Sequence, residues 1–201
     1  IPGYERWQVA FWIISIPGFL VALLLLGIAE PQRTVAVVGT QARLSDGFRL
    51  LRARGGGFAP VFLCSGLLGI VYYAGFVWYA THLIRVFGFT PSKAGFVLGV
   101  LYLCCSSLGT VFGVALAERL QRRGMADAPL VAVAFFSVVA LATSCYSAVG
   151  SLPRSLGLLA LHSLALGSFF GNLVASLHLI TPPAVRGINS AIFILWNNII
   201  S

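Results

Sequence analysis

Carboxylates are scarce in this chain. Asp and Glu together number five in 201 residues, and all charged residues make up only 9%. The five are Glu5, Glu30, Asp46, Glu118 and Asp127, each at the end of an apolar run or between two runs. Acid–base or metal chemistry at a membrane face needs clustered His, Asp or Glu. No H-x-x-x-D, D-x-D or H-E-x-x-H cluster occurs, so no catalytic residue, no metal ligand and no cofactor is expected. The four cysteines, Cys64, Cys104, Cys105 and Cys145, lie inside apolar runs without C-x-x-C or Cys/His spacing. They read as small hydrophobes. Proton coupling would need a buried ionisable group. Within the spans only His162 and His178 qualify, so if coupling exists its carboxylate is expected outside this sequence.

What the chain has instead is apolar surface. Hydrophobic residues make up 59% and the mean hydropathy is +0.96. Soluble domains run nearer half apolar and a quarter charged. A soluble fold of this length has no place for so much apolar surface, whereas a bilayer accepts it. The formal charge of +8 does not indicate nucleic acid, because the basic residues occupy short segments between apolar runs. The expected fold is an all-α integral membrane bundle, and the expected location is the cell inner or plasma membrane, crossed several times.

The runs divide at turn signals. The first is Trp7 to Ala29, with Pro17-Gly18 inside it. Residues 31–57 form a polar linker carrying Arg33, Arg43, Arg49, Arg52 and Arg54 against Asp46. Within that linker Ser45 is the expected N-cap of a short helix lying at the membrane surface, and Gly55-Gly56-Gly57 is expected to break the chain. The second run is Phe58 to Phe87. The third begins at Thr90-Pro91, an N-cap followed by proline at the first helical position, and ends near Ala117. The fourth starts at Asp127-Pro129 and ends near Val149. The fifth covers Leu156 to Thr181. A sixth begins near Ile188 and stops at Ser201, too short to span, and the first residue is Ile1, not Met, so both ends are expected to be cut. Loops on one side hold nine Arg, and those on the other hold Arg6, Arg85, Lys93 and Arg154. The nine mark the cytoplasmic side.

Within the third run Gly95, Gly99, Tyr102, Ser106, Gly109 and Gly113 are spaced 4, 3, 4, 3, 4. In a continuous α-helix they share one face. Glycines 95, 99, 109 and 113 are therefore expected to admit a neighbouring helix closely, and Gly167 and Gly171 repeat the pattern. Asn172, with Ser168 and Ser176, places an amide near mid-membrane. It is expected to bond across helices or to face a cavity. The candidate substrate-contacting residues are Tyr72, Tyr73, Trp78, His162, Asn172 and Asn197; Trp78 and His162 also suit the outer interface.

The segment "LAERLQRR", Leu116 to Arg123, resembles the loop motif of the major facilitator superfamily, G-x-L-A-D-R-x-G-R-R. Leu116, Ala117, Arg119, Arg122 and Arg123 match. Glu118 stands for the Asp, Val114 for the first Gly and Gln121 for the second. "RWQVAFWIISIPGFLVALLLLGIAEPQR", "FVWYATHLIRVFGFTPSKAGFVLG" and "LITPPAVRGINSAIFILWNNII" are similar to the Spinster-like branch. The resemblance implies helix 6 at 1–30, an inter-half linker at 31–57, and helices 7–10 with part of 11 at 58–201. It further implies a missing N-terminal half, without which transport is not expected, and alternating access by rocking halves. Glu118, Arg119, Arg122 and Arg123 would tie helix ends in one conformation. The implied partners are membrane lipids and a small-molecule or lipid-like substrate, lysophospholipid or sphingolipid-like. Another organic anion or drug-like solute is the alternative cargo. A membrane enzyme and a structural subunit are rival classes, which six further helices upstream in the reading frame would disfavour.

Overall fold

A computed structural model describes residues 5–27 and 43–200. Every regular element among them is helical. Helix α1, Arg6–Leu25, forms a unit by itself and runs through Pro17. Its start is held by the Glu5 N–H, which donates to Gln8 Oε1 at 2.9 Å. Glu30 and the linker up to residue 42 lie outside the described residues.

The second unit begins with α2, Leu44–Ala53. Ser45 does not cap it. The cap position is Arg43, whose N–H donates to Asp46 Oδ2 at 2.9 Å. Asp46 thus closes the first turn from three residues in. One residue, Arg54, with φ −120° and ψ 31°, separates α2 from α3, Gly55–Phe87. The break falls at Arg54, and the three glycines expected to make it form the first turn of α3. A tight joint on one residue leaves the following amides free to enter the helix at once.

Thr90 caps α4, Pro91–Leu101, accepting from the Lys93 N–H at 3.3 Å. The third run does not stay α-helical. Tyr102–Ser106 is a π-turn, after which α5, Ser107–Arg122, continues. Next come α6, Ala128–Thr143, with a 3₁₀ turn to Ala148, and α7, Leu152–Gly167. Ser168 separates α7 from α8, Phe169–Ile180, and α9 is Arg186–Ile200. Among the described residues five helical stretches, from Trp7, Gly55, Pro91, Ala128 and Leu152, are long and apolar enough to cross a membrane.

In the second unit the α7–α8 rod is central and packs on α3, α5 and α6. Its inner half shares a core with α3, α6 and α9, including Phe58, Val133, Phe136, Leu173, Leu177 and Phe193. The other end holds Tyr79, Leu83, Phe89, Leu98 and Leu159.

The π-turn explains which glycines pack. A π-turn adds one residue to a helical turn, so the packed face moves by one position. Before it the buried residues are Ala94 and Leu98; after it they are Gly109, Gly113 and Ala117. A Cβ on Gly109 would collide with the Leu164 carbonyl oxygen, and one on Gly167 with the backbone of Ser106. Ser106 Oγ donates to Ser163 O at 3.2 Å, and Thr110 Oγ1 to Gly167 O at 2.9 Å. This is a backbone-on-backbone seam built from small residues. Gly95, Gly99 and Gly171 meet nothing within 4 Å among the described residues.

Helix α9 is tied to α3 by Trp196, whose indole N–H donates to Phe62 O at 2.8 Å. Trp196→Phe keeps the ring and removes the donor. Hydrogen bonds between membrane helices average about 0.6 kcal/mol. The thermal midpoint is therefore expected to fall by only about 1–3 °C, read by a melting curve in detergent.

Candidate functional site

A cavity of about 450 Å³ opens between α3, the start of α5, the α7–α8 junction and α9. It lies beside the π-turn and the Ser168 break: Ser106 and Gly167, whose backbones approach closely, both line it. Its lining is mixed: Leu68, Leu166, Phe169, Phe170, Leu173 and Ile194 are apolar, and Ser65, Tyr72, Tyr73, Ser106, Thr110, Asn197 and Asn198 are polar.

These polar groups are of two kinds. Ser65, Ser106 and Thr110 spend their hydroxyl hydrogens on backbone carbonyls. The asparagines do the same with their NH₂ groups: Asn197 donates to Phe193 O at 3.1 Å and Asn198 to Ile194 O at 2.8 Å. Their amide oxygens, and the hydroxyls of Tyr72 and Tyr73, have no hydrogen-bond partner among the described residues. The rings of Tyr72 and Tyr73 meet edge to face at 5.8 Å, and Tyr72 meets Phe76 at 5.1 Å. The cavity therefore offers two phenolic donors and two amide acceptors beside phenylalanine faces. Such a site suits a solute with a polar head and an apolar body.

Of the six candidate contact residues, Tyr72, Tyr73 and Asn197 come together here. Asn172 is turned aside. It is 2% exposed, donates to Ser168 O in its own rod at 2.8 Å, and fills the space beside Gly113. His162 lies at the far end, bonded through Nδ1 to Ala140 O at 3.0 Å and flanked by the rings of Tyr79 and Tyr146. Trp78 is exposed on the outside of α3. Thr110 and Ser65 were passed over in the sequence. For Ser65 the signal was its place on one face of α3 with Gly69 and Tyr72, at i, i+4 and i+7; for Thr110 it was a hydroxyl one turn after Ser106 in an apolar run.

At the other end of α5, Glu118 pairs with Arg122 of the same motif at 3.7 Å. Both side chains are exposed, so this contact is worth well under about 1 kcal/mol. Arg119 and Arg123 are also exposed.

A family model for the Major Facilitator Superfamily matches residues 2–201. The chain belongs to this superfamily. With its apolar helices, that makes it a multi-pass membrane protein. A solved structure of a bacterial homologue of the human lysosomal transporter Spinster, in an inward-facing and unoccupied conformation, has the same fold. The TM-score is 0.66 at 22% identity, over 99% of this chain and 44% of that one. This superfamily member thus spans less than half the length of that relative. No curated protein matches the sequence.

Proposed function

We propose that this chain is the C-terminal-half bundle of a secondary transporter that works by alternating access, with the cavity above as one wall of its substrate site. The cargo is amphipathic and lipid-like, a lysophospholipid or sphingolipid-like molecule. The cavity's mixed lining, phenylalanines beside tyrosines and asparagines, carries this reading. Family membership and the Spinster-homologue fold support transport rather than catalysis. In this reading residues 1–30 form helix 6, residues 31–57 link the halves, and residues 58–201 supply helices 7–11 in the cell inner or plasma membrane. The face bearing Gly95 and Gly99 receives a helix of the other half. The Glu118–Arg123 motif holds helix ends in one conformation.

The intact gene product, reconstituted in liposomes, tests the cargo with a labelled lysophospholipid. Tyr73→Phe with Asn197→Ala removes one donor and one acceptor from the cavity. Uptake is expected to fall about tenfold, the equivalent of about 1.4 kcal/mol. Unchanged uptake would move the site elsewhere. Absent uptake by folded wild-type protein would discard the lipid and put organic anions next.

A further inference from the structure

We propose that α2 is a docking element for anionic phospholipid headgroups of the cytoplasmic leaflet. At 3.6 residues per turn its side chains divide into four sectors. Gly47, Leu50 and Leu51 face the protein: Gly47 is buried against Ile188 and Asn189 of α9, and the two leucines pack on the inner core. A quarter-turn on, Leu44 and Phe48 stand exposed at 59% and 54%. The next sector holds Arg49 and Arg52, and the last holds Ala53 and Asp46.

Protein, apolar, basic and acidic-or-small sectors in that order match a helix lying flat in the interface. One side rests on the bundle, the next dips toward hydrocarbon, the third meets headgroups and the fourth faces water. The height is right as well. One residue joins α2 to α3, whose 33 residues rise about 50 Å against a hydrocarbon core of about 30 Å. The start of α3, and α2 with it, therefore lies at headgroup level.

Charge selects the occupant. Asp46 is the one acid on α2 and is already engaged, by the Arg43 N–H and by Arg49 at 3.2 Å. Arg52 and Arg54 are exposed and have no carboxylate within 4.0 Å among the described residues. Exposed leucine and phenylalanine beside unneutralised arginines at headgroup level fit a phospholipid that is anionic and brings its own acyl chain.

Hydrogen exchange of the 44–53 peptide tests this on the intact protein in nanodiscs of phosphatidylcholine, with and without phosphatidylglycerol. Exchange is expected to slow about tenfold or more with the anionic lipid. The slowing should disappear in high salt and in the Arg49→Gln, Arg52→Gln, Arg54→Gln variant. Peptides of α6–α8 report whether that variant is folded, and the salt comparison needs no variant. Slow exchange in both discs, indifferent to salt, would show a protein segment on this face and overturn the proposal. Rapid exchange in both would overturn it equally.

Discussion

Alanine at Gly109 is expected to lower the thermal midpoint of the intact protein in detergent by about 4–8 °C. The new methyl would occupy the place of the Leu164 carbonyl oxygen. A backbone carbonyl cannot swing aside as the end of a flexible side chain can, so α5 and α7 must part. Overpacking of this kind costs about 2 kcal/mol, which corresponds to that shift at roughly 2–4 °C per kcal/mol. Parting also breaks the neighbouring bonds from Ser106 and Thr110, which depend on the same approach. Leucine at Gly109 is expected to leave no monodisperse protein on size exclusion. Gly171→Ala is the control: its methyl meets nothing within 4 Å among the described residues, and its midpoint should stay within about 2 °C. A loss at Gly171 equal to that at Gly109 would mean that the seam does not govern stability.

Phe193→Ala is expected to cost about 3–5 kcal/mol and to lower the midpoint by about 6–20 °C. Phe193 is 1% exposed and fixes α9 by edge-to-face contact with Phe62 at 5.6 Å and by the Phe170 ring at 6.3 Å. Lipid is as apolar as the protein interior, so the loss comes from contacts and from the void left behind rather than from hydration. Phe193→Leu refills most of the space and should cost under about 1.5 kcal/mol. Melting curves of the two variants separate a packing role from general intolerance at this position: equal losses would refute the void argument. Because Ile194, Asn197 and Asn198 follow on the same helix and line the cavity, Phe193→Ala should also depress uptake.

The helices were legible because membrane spans announce themselves through length and apolarity, and because Thr90-Pro91 and Asp127-Pro129 punctuate them. The packing faces were only half legible. Gly95, Gly99, Gly109 and Gly113 share a face only if the helix is α throughout, and nothing in Tyr-Leu-Cys-Cys-Ser advertises a π-turn. One inserted residue hands the packed role before the turn to Ala94 and Leu98. The cavity was legible at Tyr72, Tyr73 and Asn197, which interrupt apolar sequence with groups that want partners. Asn172 looks the same in sequence. Its amide finds a carbonyl one turn back, at Ser168, and that choice depends on Gly113 standing opposite with no side chain.

The joint at Arg54 has a mechanical consequence. Beyond it the first turn of α3 is Gly55-Gly56-Gly57, none with any atom of the described residues near where a Cβ would stand. Each glycine weakens a helix by about 1 kcal/mol relative to alanine. That turn is the cheapest part of the 33-residue rod to unwind, and it sits next to α2. The joint therefore works as a soft coupling: a pull on α2 is absorbed along the chain before it reaches the α3 side of the cavity wall, which leaves the contact of Gly47 with α9 as the stiffer route. Three alanines in its place would turn the coupling into a stiff lever.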